Sequence, residues 1–297
     1  YDFASEVGGC HYTPRTEYVD VYLNNRFLGN YLMTQAVGEG KEKVDIDITK
    51  NEFLFEYEPF VGYSNPNCIA TPILGILLGF NEPEQPTAEQ FEWLNLFFAE
   101  AESALVSYDF ERIAEYFDID SFVDFYIVNE LFKDVDFSTS STRFYLKKGR
   151  LYAGPLWDMD LSSGNVSEEA GYYGEYWNSN TSGDSTESFY CRKIWYRELF
   201  GCQKFGELVR KRYAKLQPQI VNLTTDNELG LNRIDRLIAK YGKSFAANYE
   251  KAGWSVSYVY GEFESRYPAK TYEGNVEYLR EWLIRRNAWL LHELGIS

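Results

Sequence analysis

The hydrophobic pattern of the chain changes its period near residue 80, and this change constrains the fold more than any single motif. Residues 17–23 alternate between polar and apolar side chains, which is typical of a half-buried strand. Asn24-Asn25 supplies a hairpin turn, because Asn tolerates positive φ, and residues 26–35 return as a second strand. Two further strands are predicted at residues 44–48 and 52–58. The apolar run at residues 69–80 is either a buried strand or a turn.

Helical signals dominate the rest of the chain. A turn-rich stretch at residues 79–86 marks a candidate boundary, and Thr87 with Gln90 forms a capping box that starts a helix over residues 88–106. A short helix is predicted at residues 110–117, and Asp120 or Ser121 is predicted to cap a helix that ends near residue 132. Helices also dominate from residue 193 onward, and the last one is predicted at residues 275–294. A hairpin at residues 143–153 turns at Lys148-Gly149. The predicted fold is α+β, with a small β-rich N-terminal lobe (1–80) and a larger, mostly helical C-terminal lobe (81–297).

Charge and hydropathy narrow the range of partners. The 297 residues carry a formal net charge of −16, which opposes the phosphate backbone, so we expect no nucleic acid partner. The chain contains no uncharged apolar run of about 18 residues, so we expect no membrane span. Its many tyrosines and its abrupt start at Tyr1 favour a piece of a larger, secreted or cell-surface protein.

The four cysteines leave the compartment open. Cys10, Cys68, Cys191 and Cys202 form no C-x-x-C pair, which argues against a zinc site. Two disulfides are possible, with Cys191 and Cys202 as the easiest local pair, and four buried thiols are equally ordinary.

Carboxylates stand on both sides of the predicted hairpin. Asp134 and Asp136 follow a helix that ends near residue 133, and Asp158 and Asp160 follow the second hairpin strand. Because a hairpin returns the chain to where it started, these carboxylates are expected to converge. Phosphoryl transfer uses one carboxylate to orient or deprotonate the attacking hydroxyl and others to hold Mg²⁺. Ser141 lies five residues after Asp136, the spacing that separates the base from a metal-binding side chain in protein kinases.

Other interpretations of these residues remain open. An aspartate in a loop commonly caps a turn by bonding to the local backbone. The aromatic segment 172–177 could stack sugars beside paired carboxylates, as in a glycoside hydrolase. A Ser-His-Asp hydrolase is disfavoured, since the only histidines are His11 and His292 and no G-x-S-x-G motif is present.

Several segments, in chain order, resemble the CotH kinase family. The most specific runs Gly154-Pro155-Leu156-Trp157-Asp158-Met159-Asp160-Leu161, followed by Gly164-Asn165. The other similar segments are residues 19–24, 29–32, 121–126, 130–131, 135–136, 144–146 and 277–283, the last followed by Arg286 and Trp289-Leu290. The resemblance thus covers nearly the whole chain.

The resemblance implies a bilobal, atypical protein-kinase-like fold and an enzyme that binds ATP with Mg²⁺ or Mn²⁺. It implies phosphorylation of Ser or Thr on secreted or coat proteins. Within that family pattern, Asp136 matches the catalytic aspartate, Ser141 a cofactor-binding position, and Asp158 and Asp160 the metal-binding carboxylates.

The chain departs from the family pattern where the nucleotide would be oriented. Gln35 stands where the family usually has Glu, so a charge is missing at a cofactor-binding position. Lys41 and Lys43 are weak substitutes for a phosphate-binding lysine. Asn25 replaces a turn Gly, and Asp134 stands where Asn is common. These departures keep two alternatives open, a catalytically weak pseudokinase and a protein- or carbohydrate-binding module of an extracellular assembly.

Overall fold

The structure of the chain is a computed structural model that describes residues 1–59, 66–134, 136–137, 140–165, 185–186, 194–254 and 271–296. Within these residues the fold is α+β, with two small sheets and nine α-helices. The strands are β1 (Thr16–Leu23), β2 (Arg26–Thr34), β3 (Phe53–Tyr57), β4 (Cys68–Ala70), β5 (Leu77–Glu82), β6 (Arg143–Lys147) and β7 (Arg150–Ala153). The helices are α1 (Asp2–Val7), α2 (Ala88–Ser107), α3 (Phe110–Tyr116), α4 (Ile119–Phe132), α5 (Tyr196–Gly201), α6 (Gln203–Lys215), α7 (Gln217–Val221), α8 (Arg233–Glu250) and α9 (Tyr272–Glu293).

The first hairpin has the predicted form. β1 and β2 pair antiparallel, with a bulge between Val21 and Tyr22 that increases the local twist. Asn24 and Asn25 have φ values of 49° and 62°, the left-handed conformation that a tight hairpin turn requires. β2 packs against α8, so this small sheet is held by a helix from the far end of the chain.

The second sheet has five antiparallel strands in the order β4-β5-β3-β6-β7. Its central pairing joins β3 to β6, with Phe53 opposite Leu146 and Phe55 opposite Phe144. The predicted hairpin at 143–153 is therefore confirmed, but it extends a sheet whose other strands precede residue 83. The division into two lobes near residue 80 stays a prediction.

Two local predictions were wrong, and one helix was missed. Residues 44–48 do not form a strand, because Asp47 accepts hydrogen bonds from the backbone and hydroxyl of Thr49 and starts a 3₁₀ turn. α4 is capped by Asp118, which accepts the Ser121 N–H at 3.0 Å, two to three residues before the predicted cap. α1 carried no recognised sequence signal. The capping box of Thr87 and Gln90 on α2 is confirmed.

The main core surrounds α4 on every side. Each residue from Ser121 to Leu131 is buried, including the charged Asp124 and Glu130, so packing encloses the helix on all sides. Trp195 is fully buried and lies against Phe98, Phe122 and Phe144, so it links α2, α4 and β6. Because burial continues to Leu131, the C-terminal part of α4 also lies in the interior, just before the chain turns into the segment that carries Asp136.

The predictions about membrane spans, cysteines and the aromatic segment can be compared with the structure only in part. Within the described ranges, no helix is long and apolar enough to cross a membrane. Cys10, Cys68 and Cys202 are buried free thiols. Cys191 and the aromatic segment 172–177 lie outside the described residues.

Candidate active site

The end of α4 delivers the first group of carboxylates. Lys133 ends the helix in the left-handed conformation, with φ 47°, and its backbone N–H bonds to the carbonyl oxygens of Asn129 and Glu130. The Asp134 N–H bonds to the Asn129 carbonyl at 3.0 Å, so the chain leaves the helix by a closely bonded turn. The side chain of Lys133 is only 1% exposed.

Asp134 has the structural role that the turn interpretation predicts. Its carboxylate accepts the N–H of Asp136 at 3.2 Å, an i to i+2 bond that holds the loop. The side chain is buried, and burial together with the nearby Asp136 charge raises its pKa well above the ordinary range. The Asp134 carboxyl therefore supports the loop that carries Asp136.

Asp136 occupies a different environment. Its residue is 7% exposed, and its Oδ1 atom is buried without a hydrogen-bond partner among the described residues. Burial, followed by the negative charges of Asp158 and Asp160, raises its pKa to about 6, although a hydrogen bond from Ser140 acts in the opposite direction. An unsatisfied buried carboxylate oxygen indicates a position that a ligand, an ion or a proton would complete.

The second group of carboxylates follows β7. The guanidinium carbon of Arg143 lies 4.7 Å from the centroid of the Trp157 ring. The next residue, Asp158, has a left-handed backbone with φ 57°. A 3₁₀ turn, Met159–Leu161, then places Asp160 beside it. Burial and the Asp158 charge raise the pKa of Asp160. The turn therefore holds two carboxylates near each other at the edge of a cleft.

Ser141 connects the two groups. Its hydroxyl donates to Asp158 Oδ2 at 3.1 Å, and its own backbone is left-handed, with φ 49°. The structure thus brings Asp136, Ser141, Asp158 and Asp160 into one neighbourhood. Ser141 contacts Asp158 directly, whereas Asp136 is linked to Asp158 and Asp160, among the described residues, through the effect of their charges on its pKa.

A cleft of about 440 Å³ opens beside Asp158 and Asp160. Its walls combine the polar edge with Leu32 and Thr34 of β2 and Val128 and Phe132 of α4. Tyr1, Met159 and Ser162 complete the described lining. An apolar wall facing an acidic rim suits a ligand that has both an apolar ring and an anionic group bridged by a cation.

The structure places Gln35 elsewhere. Its side-chain oxygen accepts from the Arg15 backbone and guanidinium, each at 3.4 Å, and its amide donates to the Glu42 carbonyl at 2.9 Å. Lys43 lies near Glu82, and Lys41 near Asp45. None of these three residues contributes to the described lining of the cleft.

The donor set fits a hard divalent cation. Carboxylate and hydroxyl oxygens are the ligands that Mg²⁺ prefers, and the unpartnered oxygen of Asp136 together with the raised pKa values indicates uncompensated negative charge. In the part of the chain that the structure describes, however, no three His, Cys, Asp or Glu side chains are already arranged as a complete metal site. An ion would have to be completed by water or by phosphate oxygens, as is usual for Mg²⁺.

One ion pair near the site was not predicted from the sequence. Arg286 on α9 donates to the Glu130 carboxylate at 2.7 Å, and both side chains are excluded from solvent. Both residues lie in segments that carry the family resemblance, but nothing local to either one indicates the other as its partner. Its effect is to fix the last turn of α4 just before Asp136.

An α+β fold that gathers hydroxyl and carboxylate oxygens beside a cleft is an arrangement that phosphotransferases use. The family model described as CotH kinase protein matches residues 1–290. The chain therefore belongs to the CotH kinase family. Membership of this family indicates that the chain is a kinase-like phosphotransferase. No curated protein matches the chain.

Proposed function

We propose that this chain transfers phosphate from ATP to Ser or Thr hydroxyls of secreted or cell-surface proteins, with Mg²⁺ or Mn²⁺. The observation that carries the proposal is the Asp136 carboxylate, which is buried, has one unpartnered oxygen and a pKa raised to about 6. A carboxylate with that pKa is mostly ionised at neutral pH and is basic enough to accept a hydroxyl proton as the oxygen attacks.

The other carboxylates suit a different task. Asp158 and Asp160 would hold the divalent ion, which supplies positive charge against the phosphate oxygens. Ser141 keeps Asp158 oriented through its 3.1 Å hydrogen bond. Asp134 supports the loop that carries Asp136 and has no direct part in the transfer.

The apolar part of the cleft gives the nucleotide base a binding surface. Leu32, Val128 and Phe132 line the same cavity as Asp158 and Asp160. A second, mainly apolar cavity of about 220 Å³ adjoins it and shares Tyr1, Leu32 and Phe132. A base stacked on this wall would direct its phosphates toward the acidic rim.

A transfer assay tests the proposal. The protein is incubated with γ-labelled ATP, Mg²⁺ or Mn²⁺, and a Ser-rich acceptor protein, and label in the acceptor is measured with and without EDTA. Metal-dependent labelling of Ser or Thr is expected. Release of sugar from a polysaccharide without any phosphate transfer would instead support a glycoside hydrolase.

A pseudokinase is the second candidate, and the contacts of Gln35 favour it. A neutral amide held by Arg15 and Glu42 cannot supply the charge that a glutamate would give at that position. A pseudokinase would show a nucleotide-dependent rise in melting temperature without measurable transfer. If neither is observed, the chain acts as a binding module.

A further inference from the structure

A separate cavity of about 440 Å³ lies at the opposite end of α4 from Asp136, Asp158 and Asp160. Three elements enclose it: the turn after α1, the first turns of α4, and one face of α6. Gly9 lies so close to Asp124 on α4 that a Cβ atom there would come within 1.9 Å of the carboxylate. The wall of the cavity is thus closely packed.

One cation of this cavity is already neutralised. Arg212 on α6 forms a two-pronged contact with Asp124, at 2.7 and 2.9 Å, and also donates to the Val7 carbonyl. Asp124 is 3% exposed at its side chain, so the pair is mostly shielded from water. Arg212 therefore anchors α6 to α4, and the guanidinium N–H groups that could bind a phosphate in two places are already bonded to Asp124.

The neighbouring cations are not neutralised. Lys211 and Lys215 line the cavity, are exposed, and have no carboxylate within 4 Å among the described residues. They belong to α6, which has five basic residues and one acidic residue in a chain of net charge −16. Among the described residues, the carboxylates that line the cavity are Asp124, which is paired, and Asp120, which is exposed. The two lysines outnumber Asp120 and leave the rim with a positive excess.

We propose that this rim is a docking site for a peptide segment rich in Asp or Glu. Residues i and i+4 of a helix lie about 6 Å apart along its axis, and alternate side chains of an extended peptide repeat at about 6.6 Å. Lys211 and Lys215 therefore match two carboxylates separated by one residue. Elsewhere the acidic surface repels such a segment, so binding concentrates here.

The position of the rim gives the docking site a use, which rests on the proposed phosphotransferase function. α4 has 14 residues, so its two ends are about 20 Å apart. An extended peptide covers about 3.3 Å per residue. A peptide whose acidic segment binds the rim would thus reach Asp136 with a Ser or Thr when at least about six residues separate that Ser or Thr from the acidic segment.

Binding is tested without nucleotide. A fluorescein-labelled peptide of about ten residues, alternating Glu and Ser, is titrated with the protein at about 50 mM salt, where charge interactions are only partly screened. K211E and K215E should each weaken binding about fivefold or more, because attraction is replaced by repulsion. D120N should tighten binding, because it removes the opposing charge.

R210E is the matched control. Arg210 is the exposed residue beside Lys211 on the same helix, it does not line the cavity, and its reversal changes net charge equally. Unchanged binding by R210E, with loss in K211E and gain in D120N, supports the site. Equal loss in R210E and K211E, or no effect of any of them, overturns it.

The transfer assay separates this inference from the proposed function. Peptides that carry one Ser at two or at eight residues from an acidic segment are compared as acceptors. Faster labelling of the longer peptide, abolished by K211E, supports docking. Labelling that K211E leaves unchanged overturns docking and keeps the phosphotransferase, whereas peptide binding without labelling keeps the docking site and contradicts the phosphotransferase.

Discussion

Arg286 and Glu130 are 156 residues apart and form a buried ion pair at 2.7 Å. The guanidinium also donates to the Glu130 carbonyl at 2.9 and 3.0 Å and to the Ser185 carbonyl at 3.1 Å, and it lies over the Trp289 ring. α9 thereby clamps the last turn of α4, three residues before Lys133. The location of Asp136 depends on a contact with the far end of the chain.

Removing Arg286 should destabilise the protein strongly. R286M removes the Arg286 partner of the buried Glu130 carboxylate, and such a change typically costs about 3–5 kcal/mol of unfolding free energy. Urea denaturation measures the loss. The double variant E130Q/R286M should lose less than the two single changes added together, because it removes both charges of the pair at once.

The exposed pair of Lys204 and Glu111 is the control for that experiment. Its atoms are 2.8 Å apart, but its side chains are 52% and 81% exposed. K204M should therefore cost at most about 1 kcal/mol. A loss in R286M no greater than in K204M would contradict a role for the buried pair in holding α4.

Two glycines should respond to alanine with opposite signs. G9A would place Cβ 1.9 Å from an oxygen of Asp124, which is held at both oxygens by Arg212, so we expect a loss of about 2 kcal/mol or more. G206A lies inside α6, where the nearest atom to the new Cβ is Phe200 Cδ1 at 3.9 Å. It should gain about 0.5–1 kcal/mol from helix propensity. Denaturation midpoints of the two variants test both signs.

The contribution of Asp136 to the stability of the metal-free protein should fall as pH rises through the acidic range. Asp136 has its pKa raised from 3.8 to about 6, so the native state binds more protons than the unfolded state between about pH 4 and pH 6. Asp134, whose pKa is also raised by burial, acts in the same direction. In EDTA, D136N should be more stable than the wild type by about 1–2 kcal/mol at pH 7.5, since partial solvent screening reduces the full effect. The difference should shrink toward pH 5.

D45N is the comparison for this pH dependence. A hydrogen bond from Lys147 lowers the pKa of Asp45, so the native state favours its charged form. Its removal should not stabilise the protein at pH 7.5. Equal responses of D45N and D136N across the pH range would rule out a special environment at Asp136.

Local signals in the sequence were sufficient for several elements. The alternation in residues 17–23 and the two asparagines predict the first hairpin, and Thr87 with Gln90 predicts the start of α2, because these patterns act over three or four residues. The convergence of Asp136 with Asp158 also follows from a local device, the hairpin between them.

Contacts between distant segments could not be predicted in this way. The pairing of β3 with β6, the salt bridge of Arg286 with Glu130, and the rim formed by α1, α4 and α6 all depend on tertiary packing. The segment 44–48 shows the limit of periodicity. Val44 and Ile46 are buried as the alternation requires, yet Asp47 ends the extended chain by bonding to Thr49.

The most direct test of the account is phosphate transfer by D136N. The rate of label transfer from ATP to a Ser-rich acceptor is compared among wild type, D136N and D45N, and each protein's melting temperature is recorded. We expect D136N to lose about 10²- to 10⁴-fold in rate without a lower melting temperature, and D45N to stay within about twofold. A folded D136N that transfers phosphate at the wild-type rate would contradict Asp136 as the group that accepts the hydroxyl proton.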